Sequence, residues 1–302
     1  MSIYTLPASE LFISVRFDTL ASVHRRRFLQ SVGSPLLAPC FAAAPPVKIG
    51  HREASMRMVG DPRVFEVVRM IPGLNGVELQ IVSGKHNLLS RQTLIRYKSE
   101  AHRWGIHIPS LAGPFPPGVS VRSTDAGAHL TKAIECAAFL GASVVLVPFF
   151  RDNCPDMSKS EEYSPVVAML REVAPRAAGS GVTLGLENSL NPAGNAQLCD
   201  LVAHPGVRIY FDLDNGEFYG HHGQIVPGIR LLGKERICQV HIKNEDRLIE
   251  NEGRIPWRKA LAELAAIGYD GWYVLESRHS SQQQCIDATT HNIRFIRQVL
   301  KS

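Results

Sequence analysis

Past residue 46 the chain repeats one pattern eight times: a short apolar run, then a longer stretch with apolar residues at helical spacing. Runs such as Ser143-Val-Val-Leu-Val-Pro148 and Val182-Thr-Leu-Gly-Leu186 show no polar alternation. A strand of that kind is buried on both faces, which requires a parallel sheet covered by helices. The strands predicted are Val47–Ser55, Gly76–Val82, Ile106–Leu111, Ser143–Phe149, Val182–Asn188, Val207–Leu213, Cys238–Lys243 and Trp272–Ser277. The helices predicted between them are Pro62–Met70, Ser90–Trp104, Thr124–Leu140, Glu161–Ala178, Asn195–Val202, Ile225–Leu232, Trp257–Ala266 and Gln282–Leu300. Glycines follow several of these, at Gly105, Gly141 and Gly268, where a left-handed cap ends a helix. Each unit is about 32 residues, the size of one βα repeat. A single-domain (β/α)8 barrel of the α/β class closes such a sheet. The rival open, doubly wound sheet would carry a glycine-rich phosphate loop after its first strand, and here that strand runs into His51-Arg52-Glu53.

In such a barrel, chemistry sits at the C-terminal ends of the strands. Four successive strands end alike. Val182–Glu187 and Val207–Asp212 close on carboxylates, Cys238–His241 on an imidazole, and Trp272–Glu276 on a carboxylate. Taken singly, each reads as a strand-end ion pair or a satisfied core histidine. Together they converge on one point, and burying four such groups is costly unless they are paired or bind metal. The expectation is a divalent metal held by Glu187, Asp212, His241 and Glu276. Three carboxylates and one imidazole favour Mn²⁺ first, with Mg²⁺, Co²⁺ or Zn²⁺ as alternatives.

At these residues the sequence resembles the xylose-isomerase-like barrel superfamily, the sugar phosphate isomerase/epimerase family. The resemblance spans nearly all of residues 47–300. It is strongest in Leu186-Glu-Asn188, Tyr210-Phe-Asp-Leu-Asp-Asn215, Val240-His-Ile-Lys-Asn244 and Gly268-Tyr-Asp-Gly-Trp-Tyr-Val-Leu-Glu276. It implies the same four ligands, with Glu187 and Glu276 as an acid/base pair acting through an enediolate. It also implies substrate contacts at Arg247, six residues after the histidine, and at Asn215, three after the aspartate. Further candidates on the same rim are His51, next to Arg52, then Glu78, His107, Lys243, His222 and Trp257. For Glu78 an ion pair inside the barrel is equally open, and for His107 a core position is the leading reading.

The function expected is metal-dependent isomerisation or epimerisation of a small-molecule carbohydrate, an unphosphorylated sugar or keto-sugar. Relatives of this kind commonly form homodimers. A lyase or dehydratase acting on a 3-keto-glycoside or inosose begins with the same proton abstraction, so the ligands alone do not separate the two. A non-catalytic carbohydrate-binding barrel would dispense with one of the two glutamates. A DNA-repair endonuclease shares the barrel but would need extra histidine ligands at a spacing that His51, His107, His204 and His222 do not match.

The segment Val23-His-Arg-Arg-Arg-Phe-Leu-Gln30 resembles a twin-arginine export signal. A weakly apolar stretch, Ser31 to Phe41, and then Ala42-Ala43-Ala44 complete the order of an export signal. Residues 1–44 are therefore expected to be an address and 45–302 the barrel, with the protein exported to the periplasm. The 302 residues carry 33 basic and 28 acidic side chains, +5 in all. Beyond residue 44 the balance is 29 to 26, only +3, with no basic stripe to suggest nucleic acid. The six cysteines are scattered without a CxxC, and no apolar run is long enough for stable membrane insertion.

Overall fold

The computed structural model describes residues 47–301; the expected export segment and Cys40 lie outside them. Eight parallel strands close into a barrel. They are β1 (Ile49–Arg52), β2 (Gly76–Gln80), β3 (Ser110–Ala112), β4 (Val144–Phe149), β5 (Thr183–Asn188), β6 (Val207–Asp212), β7 (Ile237–Ile242) and β8 (Trp272–Leu275). Each pairs with the next, and β8 returns to β1 through Ile49 opposite Tyr273. The helices are α1 (Val64–Met70), α2 (Arg91–Trp104), α3 (Ala126–Leu140), α4 (Ser160–Gly179), α5 (Pro192–Val202), α6 (Leu213–Phe218), α7 (Ile225–Arg236), α8 (Trp257–Ala266) and α9 (Gln282–Lys301). No helix among the described residues is long and apolar enough to cross a membrane.

The local chemistry accounts for the helix ends. Ser90 caps α2 by accepting the Thr93 amide, and Gly105 ends it at φ 63°. Gly141 ends α3 at φ 79°, a conformation that costs other residues. Within α3, Leu130, Ala133, Ile134 and Ala137 recur at helical spacing and all are buried.

Three departures from the sequence-based expectation have physical causes. The run Ile106–Leu111 forms a ladder only from Ser110, because Pro109 has no amide hydrogen to donate; His107 makes an isolated bridge to Gly76. The chain after Arg52 folds into turns, with Ser55 and Met56 donating back to the Arg52 carbonyl, so β1 stops there. Beyond Leu213, where a loop was expected, Asp212 caps the extra helix α6 by accepting the Asn215 amide at 2.9 Å. A short antiparallel ribbon, Val82–Ser83 with His86–Asn87, also follows β2.

A period of two along each strand decides which side chains enter the barrel. Register pairs Gly50 with Gly76, Arg52 with Glu78, Leu146 with Gly185, Pro148 with Glu187 and Asp212 with His241. The lumen accordingly holds Ala112, Val144, Leu146 and Tyr210 as a small apolar cluster. The alternate residues, among them Val145, Val147, Leu184, Leu186, Ile209 and Val240, pack in the large cluster between sheet and helices. Fully burying one such side chain contributes about 1.5–3 kcal/mol.

Candidate functional site

Beneath the C-terminal rim the lumen is polar and hydrogen-bonded. Glu78 is 0% exposed. Its Oε2 accepts from Tyr210 Oη at 2.6 Å and from Ser110 Oγ at 2.7 Å. Gln239 Nε2 donates to the same two hydroxyls, at 2.8 and 2.6 Å. Glu78 Oε1 lies 3.2 Å from His241 Nε2 and 3.5 Å from Arg52 Nε. Burial pushes the Glu78 carboxyl up, but His241 and Arg52 beside it win and hold it below the ordinary carboxylate range. An ionised carboxylate only accepts, so His241 Nε2 carries a hydrogen toward Glu78; Nδ1 faces the rim and, without a metal, carries one toward Glu187 as well.

One turn of register higher, four donors meet. A ligand atom from each of Glu187, Asp212, His241 and Glu276 lies within 4.8 Å of the others. His241 Nδ1 is 3.1 Å from Glu187 Oε1, 3.5 Å from Glu276 Oε2 and 3.8 Å from Asp212 Oδ2. β5 and the end of β8 bring the two glutamates, with β6 and β7 between them. Lys243 Nζ donates to Asp212 Oδ2 at 2.6 Å, to Glu276 Oε2 at 2.9 Å and to Asn215 Oδ1 at 3.0 Å. Asn215 Nδ2 donates to Glu187 Oε1 at 3.2 Å. Arg52 donates to Glu276 Oε1 and, more distantly, to Gln80.

The charges do not balance within the protein. Among the described residues, Glu78, Glu187, Asp212 and Glu276 face only Arg52 and Lys243 as fixed cations. With His241 neutral, as a metal ligand must be, two negative charges remain, which one divalent ion would offset. The proton affinities show the same surplus. His241 rises well above its ordinary value although burial opposes it, because Glu276, Glu78 and Glu187 surround it. Burial, with Glu187 and Glu276 adding to it, pushes Asp212 up to about 7 against the pull of Lys243. Glu276 is held low against burial by His241, Arg52 and Lys243. This buried set could hold a divalent metal, and its oxygen-rich donors suit a hard to borderline cation.

A cleft of about 620 Å³ opens onto the set, lined by Asp214, Asn215, Phe218, Lys243, Glu245, Asp246, Arg254, Glu276 and Arg278. That size suits a small molecule.

The other sequence candidates divide by position. Lys243 and Asn215 stand in the cleft, while Glu78 lies below it as the partner of His241. Trp257 is buried and donates from Nε1 to the Lys243 carbonyl at 2.9 Å, holding that backbone from behind. Arg247 is half exposed and tied to Glu245 and the Glu252 carbonyl; the guanidinium groups lining the cleft belong to Arg254 and Arg278. His222 is exposed and pairs with Glu217. His107 is at the opposite end of the barrel, beside Gly76 and 5.7 Å from the Trp272 ring, because Pro109 delays the strand. His51 is buried and faces outward, having the opposite parity to Arg52. Tyr210, Gln239 and Asp214 were missed. Tyr210 and Gln239 each lie two residues before a ligand candidate, so strand period alone places them on the same face; Asp214 depends on α6, which the sequence pattern does not announce.

A family model described as a xylose isomerase-like TIM barrel matches residues 65–299. No match is found among curated proteins. Among solved structures, D-psicose 3-epimerase from Clostridium cellulolyticum H10 is 20% identical, with a TM-score of 0.71 over 84% of this chain and 99% of its own. A xylose isomerase domain protein from Planctomyces limnophilus is 16% identical, with a TM-score of 0.70 over 85% and 98%. A 3-keto-D-glucoside 4-epimerase from E. coli is 14% identical, with a TM-score of 0.67 over 83% and 99%. At these identities the likeness is one of fold.

Proposed function

The chain belongs to the xylose isomerase-like TIM-barrel family, and on that premise we propose that it is a divalent-metal-dependent sugar epimerase or isomerase. The observation that carries this reading is the meeting of Glu187, Asp212, His241 and Glu276 within 4.8 Å at the ends of four successive strands. Those four residues would hold the ion, with Mn²⁺ the first choice. When bound, it supplies Lewis acidity that makes the hydrogen on the carbon beside a sugar carbonyl removable.

The proton itself is moved by the chain. Glu187 and Glu276 flank the set from β5 and β8, so one carboxylate removes a proton from one side of a substrate and the other returns one from the opposite side. Return by the same carboxylate to the neighbouring carbon gives isomerisation instead. Asn215 orients Glu187 through its 3.2 Å bond. Lys243, fixed by Asp212 and Glu276, offsets the negative charge of an enediolate. Its backbone is fixed in turn by Trp257.

The reading favours an unphosphorylated sugar or keto-sugar. Arg254 is already paired with Asp214 and Glu245, so it is not a free phosphate clamp. The arginine pair Arg25-Arg26 and the alanines at 42–44 support export of residues 45–302 to the periplasm, where phosphosugars are scarce. The test is turnover of a panel of ketoses and aldoses by protein stripped with chelator and reloaded with Mn²⁺. Turnover by the reloaded protein, and a loss of about 10²–10⁴-fold in Glu187→Gln, is expected. Equal activity without metal would remove the reading.

A further inference from the structure

The outward parity of His51 carries it away from the cleft and into the seam between β1 and α9. There it meets Cys285, in the first turn of α9, and His279, from the connection between β8 and α9. The three are 1%, 2% and 3% exposed, respectively 51, 285 and 279. A ligand atom from each lies within 4.8 Å of the others.

Several details of this cluster go beyond packing. His51 Nδ1 lies 3.1 Å from the Arg52 carbonyl, which only accepts, so Nδ1 carries the hydrogen. That leaves the lone pair on Nε2, which faces Cys285 Sγ at 3.7 Å. Anchoring one imidazole nitrogen on a carbonyl is how proteins orient the other toward a metal. Both ring nitrogens of His279 are buried without a hydrogen-bond partner. Buried imidazoles are ordinarily satisfied, and neither nitrogen here is. The 3.7 Å from His51 Nε2 to Cys285 Sγ also fits. A tetrahedral zinc ion, with bonds of about 2.0–2.1 Å to nitrogen and about 2.3 Å to sulfur, keeps those donors about 3.6 Å apart.

We propose that His51, His279 and Cys285 form a second metal site, for a borderline-soft divalent cation of the zinc class. Two imidazoles and a thiolate select for such an ion, whereas the oxygen-rich set in the cleft selects for a harder one. Binding converts the Cys285 thiol to a thiolate and releases one proton to solvent; no electron is transferred. The ion ties β1, the first strand, to the connection and helix that follow the last strand, and so pins the seam where the barrel closes. It also braces the cleft from behind, since Arg52 follows His51 and Glu276 lies three residues before His279. The site does not depend on the sugar chemistry proposed above.

Co²⁺ titration of the purified full-length protein tests it, because a thiolate bound to Co²⁺ gives a charge-transfer band in the near ultraviolet that carboxylates and imidazoles do not. One equivalent of the band is expected in the unmodified protein and in Glu187→Gln. It should vanish in Cys285→Ser and be bleached by added Zn²⁺. His279→Ala, which keeps the thiol, should weaken Co²⁺ binding by more than the about 10–100-fold that losing an orienting partner costs. The absence of the band from the unmodified protein, or its persistence in Cys285→Ser, overturns the proposal.

Discussion

Replacing Glu78 with glutamine keeps the shape of the side chain and removes its charge and one of its two acceptor oxygens. Four groups meet that carboxylate: Tyr210 and Ser110 on Oε2, His241 and Arg52 on Oε1. An amide must turn its NH₂ toward one of these pairs. Turned toward His241, it meets the Nε2 hydrogen and disfavours the form in which Nε2 keeps its hydrogen and Nδ1 gives one up, the form a metal beside Glu187, Asp212 and Glu276 would need. Turned toward the hydroxyls, it leaves two buried hydroxyl hydrogens without an acceptor, since Gln239 already donates to both oxygens. A buried unsatisfied polar group costs about 1–3 kcal/mol. Losing the partner that orients a ligand histidine lowers metal affinity about 10–100-fold, or about 1.4–2.7 kcal/mol. Glu78→Gln should therefore weaken Mn²⁺ binding by that factor in calorimetric titration. It should also lower stability by about 1–3 kcal/mol in urea denaturation of the metal-free protein. A variant that lost stability but bound Mn²⁺ as tightly as the parent would refute the orienting role of Glu78 and leave it as a structural ion pair.

Three further outcomes follow from other parts of the chain. A Cβ on Gly76 would come within 2.4 Å of the Trp272 ring, whereas one on Gly179 would meet nothing within 4 Å; thermal denaturation should show Gly76→Ala destabilised by about 1–3 kcal/mol and Gly179→Ala unchanged or improved. Burial holds the Glu53 carboxyl up at about 8 against an ordinary 4.5, despite the Gln80 amide donating to it at 2.6 Å. The folded protein thus holds a proton that the unfolded chain gives up, so this contribution to stability is full below about pH 4.5 and is lost as pH rises through about 8; Glu53→Gln should flatten that slope in urea titrations across the range. Changing Arg25 and Arg26 to lysine should leave the protein in the cytoplasm on cell fractionation, and cytoplasmic retention of the unaltered protein would remove the export reading and, with it, one argument for an unphosphorylated substrate.

The legibility of this molecule in its sequence has a physical pattern. Glu187, Asp212 and His241 could be read because each stands at the end of a largely buried strand or one residue before it, so a polar group there demands an explanation. Glu276 stands immediately after β8 and follows the same logic. The lumen beneath was legible in principle from the period of two, which puts Tyr210 under Asp212 and Gln239 under His241. The same period separates His51 from Arg52, and reading both as rim residues overlooked it. What the pattern hides is set by backbone chemistry or by long-range contact. Pro109 silently shortens β3 and displaces His107. The α6 helix exists because Asp212 caps it, and it is that helix which brings Asp214 and Phe218 to the cleft. His51, His279 and Cys285 are brought together only by closure of the barrel, across 234 residues between the first and last.

Proton transfer at a sugar carbon by Glu187 and Glu276 is the step on which the proposed function rests. Incubating the Mn²⁺-loaded protein with a panel of unphosphorylated sugars in D₂O, and reading the products by mass spectrometry and NMR, measures that transfer directly. A stereoisomer or an aldose–ketose pair that has gained one deuterium with no loss of mass is expected, and no exchange in Glu187→Gln. Loss of water or of an aglycone would make the protein a lyase, and no exchange with any sugar would contradict proton transfer by the two glutamates.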